Sequence, residues 1–223
     1  MERQGAAENE AIGVILLNLG GPERLEDVEP FLVNLFSDRQ IIRLSPFPFL
    51  QRPLARQIAR RRASKSCAAY QQIGGGSPLP RITGEQCQAL EESLAPEGAF
   101  KVVPAMRYWA PRAVQALEAF DREGIRKIVA LPLYPHYSIA TSGSSLEDLR
   151  QAVAGLQSPP EIAEIPSWPE QPDYIACLAD NIKKALASFE SPPEVVYSAH
   201  SLPVKFILEG DPYVEELEKT IGR

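Results

Sequence analysis

The chain has few of the residues on which several common classes of protein depend. It contains three cysteines and two histidines among 223 residues, and no apolar run approaches the roughly 20 residues that a membrane-spanning helix requires. The cysteines, Cys67, Cys87 and Cys177, are widely separated and form no CxxC pair. This pattern argues against a disulfide framework or a tetrahedral zinc site, and it predicts a protein of the reducing cytoplasm.

Basic charge and a secretion signal are also lacking. The formal net charge is −6, whereas nucleic-acid-binding domains usually carry a basic patch or stripe. The N-terminus, MERQGAAENEAIGVILLNLGG, has acidic residues before its apolar stretch and glycines after it. That order is typical of a strand followed by a turn rather than of a signal peptide.

The chain does contain an alternation of β-favouring runs and segments with helical periodicity. The predicted strands are IGVILLNL, FKVVPAMRY, IRKIVALPLYP, EIAEIP and EVVYSAH; the predicted helices between them are DVEPFLVNLF, PRAVQALEAFDREG, SSLEDLRQAVAGL and residues 171–189. This alternation predicts an α/β fold with a parallel sheet and right-handed crossovers. The proline turn LQSPPE is interpreted as a boundary between two units, residues 1–157 and 158–223.

Parallel α/β sheets bind ligands beyond the carboxyl ends of their strands. The segments that follow the predicted strands are rich in glycines, hydroxyls, aromatic rings and histidine: NLGGP (18–22), MRYWAP (106–111), LYPHYSIATSGSS (133–145) and SAHSLP (198–203). Their concentration at one edge predicts a cleft there. In two of these segments, Arg107-Tyr108-Trp109 and Tyr134 are either core aromatics with a neighbouring cation or part of a ligand clamp.

Three further features each allow two interpretations. GGGSPLP (74–80) matches neither the P-loop nor the dinucleotide fingerprint, so it is either a flexible turn or an anion site built from N–H groups. Arg52, Arg56 and Arg60 share a helical face, which is either solvated or contacts a carboxylated ligand or an anionic membrane. The segment LSPFPFLQ (44–51) either packs in the core or forms an apolar lip.

His200 is the strongest candidate for chemistry. It stands in VVYSAHSLP (195–203), at the end of what is predicted to be a buried strand. A neutral imidazole can accept a proton near pH 7 or bind a divalent metal, although it can also be a satisfied core residue. Ser198 and Ser201 suggest a hydrolase, but the G-x-S-x-G signature that often displays a nucleophilic serine is absent.

Six of these motifs, taken together, carry a resemblance to a known family. NLGGP, YQQIGGGSPL, MRYWAP, LPLYPHYS…TSGSS, SWPEQPDYI and SAHSLP…GDPY occur here in the order and spacing found in ferrochelatase, the terminal metal-inserting enzyme of haem synthesis. The similarity runs from Ile12 to about Tyr213. It implies two Rossmann-like halves around a porphyrin cleft, each with a parallel sheet flanked by helices, and the second half incomplete in this chain.

The resemblance also implies roles for individual residues. His200 corresponds to the active-site histidine, as proton acceptor or as metal ligand, and Arg107 and Tyr108 correspond to a pair on the opposite porphyrin face implicated in metal delivery. The remaining substrate contacts that it implies are Tyr70 and Ser77 at a propionate, Arg61 and Arg62 near the same edge, Leu19 over the macrocycle, and Tyr134. A leucine at position 19 favours protoporphyrin IX, with Fe²⁺ as the second substrate. Contact with the periphery of the inner membrane through residues 44–51 is a further expectation.

Two departures from the family pattern limit these expectations. Ile139 stands where some members carry a cysteine ligand of a [2Fe–2S] cluster, and no four-cysteine set exists, so no such cluster is expected. Members of the family continue beyond GDPYVEELEKTIGR with a segment that carries an acid facing the cleft. The chain is therefore expected to be an N-terminal fragment with weak porphyrin binding and little or no metal insertion. The alternatives are a non-catalytic tetrapyrrole-binding module, a chelatase for another divalent metal, or a stable domain without either activity.

Overall fold

The protein is seen in a computed structural model that describes residues 10–191 and 193–223. Four strands form one sheet: β1 (Ile12–Asn18), β2 (Phe100–Met106), β3 (Lys127–Pro132) and β4 (Glu161–Glu164). The helices are α1 (Val28–Ser37), α2 (Pro48–Gln72), α3 (Leu79–Leu94), α4 (Ala113–Arg122), α5 (Ser144–Ala154), α6 (Pro172–Leu186), α7 (Val204–Leu208) and α8 (Tyr213–Ile221). The first nine residues, on which the signal-peptide argument partly rests, lie outside the described part.

The sheet is parallel throughout, with strand order β2-β1-β3-β4. The α/β prediction with a parallel sheet is therefore confirmed, and four of the five predicted strands form. The predicted boundary after residue 157 remains a prediction. The strand that follows it, β4, pairs with β3 from Lys127↔Glu161 to Ala130↔Glu164, so the first sheet extends beyond that point.

Both faces of β1, one of the two inner strands, are buried, as its nearly continuous apolar run predicts. Because side chains alternate along a strand, Ile15 and Leu17 pack with α4 and α5, whereas Val14 and Leu16 pack on the side of α3. Gly13 makes this packing close: a Cβ there would lie 2.9 Å from the ring of Phe120 in α4. The sheet thus has a helical layer on each side.

The paired helices α1 and α2 form a third cluster beside the sheet. The inner face of α2 carries Gln51, Ala55 and Ala59 at four-residue intervals, and the two small alanines let α1 approach closely. The Gln51 amide donates hydrogen bonds to the carbonyls of Phe36 and Ile42, both at 2.8 Å. These bonds fix the loop that leaves α1, which is the loop that enters the candidate site.

The arginine row of α2 lies about a quarter turn round the helix from these alanines, on its exposed surface. Arg52, Arg56 and Arg60 are all exposed, and the side chain of Arg60 lies 3.4 Å from a carboxylate oxygen of Glu29. Among the described residues, no helix is long and apolar enough to cross a membrane.

Candidate active site

The carboxyl ends of β1, β2 and β3 are level with one another. Asn18 pairs with Met106, and Leu17 pairs with Pro132. Hydrogen bonds continue the ladder past the strand ends: Arg107 N donates to Asn18 O at 2.7 Å, Tyr108 N to Leu19 O at 3.0 Å, and Leu133 N to Leu17 O at 2.9 Å. The loops that carry NLGGP, MRYWAP and LYPHYS therefore start side by side, as the sequence predicted.

A buried polar network occupies this edge, centred on Asp38. One oxygen, Oδ2, accepts hydrogen bonds from Tyr108 Oη at 2.7 Å, Ser144 Oγ at 2.7 Å and Arg107 Nη2 at 2.8 Å. The side chain of Asp38 is 5% exposed, that of Arg107 is 17% exposed, and Tyr108 is 1% exposed as a whole residue. A buried carboxylate is tolerated here because its charge is paired and its lone pairs are used.

The charges of the network are balanced by a second acid. Arg107 Nη1 and Arg112 Nη2 each donate to Asp148 Oδ1 at 3.1 Å. The guanidinium carbon of Arg107 also lies 5.0 Å from the centroid of the Tyr108 ring. Two arginines thus face two aspartates, and Arg107 is held by four neighbouring side chains, those of Asp38, Ser144, Asp148 and Tyr108.

The protonation states of the network follow from its surroundings. Burial raises the pKa of Asp38, but the hydrogen bonds from Tyr108 and Ser144 and the charge of Arg107 outweigh that effect and leave the pKa below its ordinary value. The pKa of Tyr108 is raised, mainly by burial and also by the Asp38 charge. At neutral pH the pair is therefore a carboxylate and a neutral phenol.

Buried hydroxyls line the next loop. The oxygens of Tyr134, Ser142 and Ser145 are inaccessible, and none has a hydrogen-bond partner among the described residues. Burial raises the pKa of Tyr134, while the neighbouring Ser145 hydroxyl and the charge of Arg107 act in the opposite direction. Polar groups that are buried without partners within the protein indicate a place where a ligand or water completes the hydrogen bonding.

The glycine motifs NLGGP and GGGSPLP pack against each other. Ser77 N donates to Pro22 O at 2.7 Å, and a Cβ on Gly21 would lie 2.5 Å from Ser77 Cβ. A Cβ on Gly76 would meet the carbonyl of Glu23. Glycine is thus required by close backbone approach, and Ser77 lies beside the loop that carries Leu19.

The other predicted substrate contacts lie on or near α2. Tyr70 and Leu19 are partly buried and pack against the cluster formed by α1, α2 and Tyr108, and burial raises the pKa of Tyr70. Arg61 and Arg62 are exposed on α2, and the guanidinium of Arg62 lies 5.8 Å from the centroid of the Phe36 ring. Leu19 and Tyr70 therefore lie in one cluster with Tyr108, and the two arginines lie at the surface of the same helix pair.

The predicted buried strand around His200 does not form. Residues 193–203 form no strand, Val196 is 84% exposed, and His200 is exposed. The physical reason is pairing: a strand needs neighbours for its backbone N–H and C=O groups, and this segment adds to neither edge of the four-stranded sheet. Within the described residues no hydrogen bond involves the His200 side chain, and the structure does not bring it into the Arg107–Tyr108 network.

A large cavity lies between the loop after α1 and the segment after His200. Its volume is about 980 Å³. Apolar and aromatic side chains form much of its wall, among them Ile41, Ile42, Tyr137, Ile139 and Phe206, and cations stand at Arg39, Arg43 and Lys205. None of the site residues predicted from the sequence lines it, although Ile41 and Ile42 also pack in the Tyr108 cluster.

The GDPY motif anchors the far wall of this cavity. Asp211 Oδ2 accepts hydrogen bonds from Ser138 Oγ at 2.9 Å and from Ile139 N at 2.8 Å. His136 Nε2 lies 2.7 Å from Thr220 Oγ1 in α8. Burial lowers the pKa of His136, and the charge of Glu216 acts in the opposite direction. This histidine therefore joins the loop after β3 to α8.

Sequence reasoning missed the acids that hold the site. Asp38 and Asp148 carry no motif signature, since an aspartate after a helix and another inside one are ordinary surface patterns. Ser144 belongs to TSGSS but was not distinguished from its neighbours. The available signal was indirect: an arginine next to aromatic residues at a strand end needs a partner.

Comparison with known proteins assigns the chain to a family. The family model described as Ferrochelatase matches residues 11–223. The chain is 55% identical over 216 residues to a protein named ferrochelatase from Desulfotalea psychrophila, covering 96% of this chain and 67% of that protein. It is 49% identical to one from Geotalea uraniireducens (95% and 66%) and 50% identical to one from a Cyanothece species (93% and 55%). The chain thus spans about half to two thirds of these relatives, and it belongs to the ferrochelatase family of enzymes.

Proposed function

We propose that this chain is part of a protein that inserts Fe²⁺ into protoporphyrin IX, the reaction that forms protohaem, and that the chain by itself binds the porphyrin weakly and inserts little or no metal. The observation that carries the proposal is the Arg107–Tyr108 pair, buried and hydrogen-bonded at the carboxyl edge of the sheet in a chain that belongs to the ferrochelatase family. The family name supports insertion of a metal into a porphyrin. The leucine at position 19 supports the choice of protoporphyrin.

The volume and the lining of the cavity suit a largely apolar ligand, although the residues assigned above to porphyrin contact lie outside its wall. Ligand sites usually occupy about 300–1,000 Å³ and are lined mainly by apolar side chains. The cavity of about 980 Å³ has isoleucine, proline and aromatic residues in its wall. A macrocycle would displace water from these surfaces, and only its carboxylates would need charged partners.

The two propionates are the only charged groups of the proposed porphyrin substrate. We propose that Ser77, Tyr70, Arg61 and Arg62 receive them, since guanidinium groups and hydroxyls form charge-assisted hydrogen bonds with carboxylates. The exposure of Arg61 and Arg62 and the fixed position of Ser77 beside Gly21 support this assignment. Tyr134, with a buried and unpartnered hydroxyl, is proposed as a further contact.

Metal insertion releases two protons from pyrrole nitrogens, so it needs a proton acceptor. We propose His200 for this step or as a ligand of the entering metal ion. Support comes from the SAHSLP motif and from Pro203, which lines the cavity only three residues after His200. Tyr108 cannot accept the proton at neutral pH, since its own hydroxyl donates to Asp38.

We propose no permanently bound cofactor and no [2Fe–2S] cluster. Cys87 is buried, Cys67 is half-buried and Cys177 is exposed, and all three are free thiols. Ile139 occupies the position of the cluster cysteine. Iron enters this proposal as a substrate.

We propose that the protein is cytoplasmic and contacts the membrane peripherally. The lip at residues 44–51 supports it, because Phe47 is 56% exposed and Phe49 is 74% exposed while their rings lie 5.8 Å apart. Adjacent exposed aromatic rings of this kind mark interaction surfaces.

The test measures binding and insertion separately on the 223-residue chain. Protoporphyrin binding is followed by fluorescence quenching, and insertion of Zn²⁺ or Fe²⁺ by absorbance, with His200→Ala beside a Ser201→Ala control. Insertion that is lost in His200→Ala and kept in Ser201→Ala would support the proposal. Binding without insertion would identify a tetrapyrrole-binding module, preference for another divalent ion would identify a different chelatase, and the absence of binding would refute the proposal.

A further inference from the structure

We propose that Asp38 is the positioning residue of the site: one of its carboxylate oxygens fixes Arg107 and Tyr108 together and neutralises the guanidinium beside the metal path. The proposal rests on the function proposed above, because it gives a role to a residue that serves the same reaction. Asp38 lies at the end of α1, in a segment that contains none of the six family motifs.

The geometry of Asp38 leaves it no freedom. Its Oδ1 accepts the amide of Gln40 at 2.8 Å, while Oδ2 accepts the three donors from Arg107, Tyr108 and Ser144. Both oxygens are therefore held, one by the local backbone and the other by two distant loops. Rotation of the carboxylate would break at least three hydrogen bonds in a buried place, where each unmade bond carries its full desolvation cost.

The same oxygen fixes the orientation of Arg107. A guanidinium has five N–H donors in a planar fork. In Arg107, Nε donates to Ser144 at 2.7 Å, Nη1 to Asp148 and Nη2 to Asp38, so all three nitrogens are anchored. Ser144 links the two groups, since its hydroxyl accepts from Arg107 and donates to Asp38. Tyr108 is fixed in the same way through its hydroxyl, and its carbonyl accepts from Asn34 at 3.0 Å.

Charge gives the arrangement a functional consequence. Asp148 is shared between Arg107 and Arg112, so Asp38 is the acid that balances the second cation of the group. Without it, the site would carry an uncompensated positive charge in a place of low dielectric constant, and that charge would repel an approaching divalent cation. Asp38 should therefore govern the apparent affinity for the metal and leave the affinity for the porphyrin nearly unchanged.

The variant Asp38→Asn tests this on the full chain, because it keeps the shape and removes the charge. Zn²⁺ insertion into protoporphyrin is measured at varied concentrations of each substrate, with Asp121→Asn, an exposed partner of Arg126, as the control. In Asp38→Asn the KM for Zn²⁺ is expected to rise at least about tenfold, while porphyrin binding changes less than about twofold. Asp121→Asn should change neither. Equal losses in both affinities would identify Asp38 as a merely structural residue and overturn the proposal.

A second measurement separates this proposal from the function on which it rests. The Nε–H group of Arg107 gives an NMR signal whose hydrogen exchange should be slow in the wild type, fast in Asp38→Asn and slow in Asp121→Asn. Tyr108→Phe serves if Asp38→Asn does not fold, since it removes one of the bonds that fix the Asp38 carboxylate and leaves the acceptor of Arg107 Nε in place; it should also speed this exchange. Absence of protoporphyrin binding would refute the proposed function, while unchanged exchange at Arg107 in Asp38→Asn would refute the role of Asp38.

Discussion

Glu216 Oε2 accepts the backbone amide of Tyr137 at 2.6 Å, across 79 residues of sequence. Its other oxygen accepts from Ser167 Oγ at 2.9 Å, so one side chain of α8 joins two loops at the carboxyl edge of the sheet. This helix makes its described contacts with the loops through side chains and contributes no buried residue. Its attachment therefore depends on a few polar bonds and on the edge-on contact between the rings of Tyr213 and His136.

Replacing Glu216 should release α8 from the loop after β3. Because two bonds to a charged acceptor are lost, Glu216→Ala is expected to lower the free energy of unfolding by about 2–4 kcal/mol. Hydrogen exchange at the Tyr137 amide should become faster. Urea unfolding and exchange measurements check both results, with Glu215→Ala as the matched control, since Glu215 is exposed and pairs with Lys219 of its own helix. Equal effects of the two variants would contradict this attachment.

Removing the hydroxyl of Tyr108 should destabilise the protein without changing its packing. Tyr108→Phe keeps the buried ring but deletes the 2.7 Å bond to Asp38, so a loss of about 1–3 kcal/mol is expected. Tyr197→Phe, on an exposed side chain, is the control and should leave stability unchanged. Denaturant titration measures both variants, and a stable Tyr108→Phe protein would show that the bond contributes nothing.

Stability should depend on pH through Asp38. Its pKa is lower in the folded protein than the ordinary value of about 3.9, so its contribution is fully present above that value and is lost as pH falls towards the folded pKa. The difference in unfolding free energy between wild type and Asp38→Asn should therefore be constant from about pH 5 to 7 and shrink below about pH 4. A difference that grows on acidification would have the wrong sign.

The contact between the two glycine motifs gives a prediction with a built-in control. Gly21→Ala places a methyl group 2.5 Å from Ser77 Cβ and should cost about 1–3 kcal/mol, because a backbone loop must move. Gly84→Ala, at an exposed position in α3 with nothing within 4 Å, should instead stabilise the helix by about 0.5–1 kcal/mol. Thermal unfolding compares them, and equal signs would contradict the close approach.

The apolar lip can be tested on vesicles. Phe47→Ser combined with Phe49→Ser should reduce co-sedimentation with phospholipid vesicles severalfold, since both rings are exposed and adjacent. Phe189→Ser is the control, because Phe189 is 59% exposed at a different place. If the double variant still binds the vesicles, the lip is not the part of the protein that contacts the membrane.

The sequence predicted those parts of the fold that depend on local pattern. The apolar run of β1, the amphipathic helices and the glycine turns each carry their own signal, and the parallel sheet follows from their order. The prediction of a strand around His200 was wrong. Its apolar residues show that the segment could join a sheet, but a strand also needs a neighbouring strand to pair with, and the described structure offers none here. Val196 has the side chain of a buried strand and an exposure of 84%.

The sequence predicted the edge of the sheet at which the candidate site lies. It did not predict the residues that bind Arg107 and Tyr108 there. Arg107 and Tyr108 were found because they end a strand and belong to a motif. Asp38, 69 residues before Arg107, and Ser144, 106 residues after Asp38, meet them only through the tertiary fold. The hydrophobic periodicity of one sequence cannot predict a contact between residues so far apart in the chain, because each of them taken alone looks like an ordinary polar residue at the surface.

Because Arg107, Tyr108 and Ser144 all bind one oxygen of Asp38, this part of the site can assemble only late in the synthesis of the chain. Asp38 leaves the ribosome long before Arg107, and Ser144 and Asp148 leave it later still. Because α1, the end of β2 and the start of α5 must all be present before the carboxylate has its partners, a nascent chain shorter than about 150 residues contains no assembled arginine–tyrosine pair. A growing chain therefore lacks this part of the site until its first sheet and the helices around it are nearly complete.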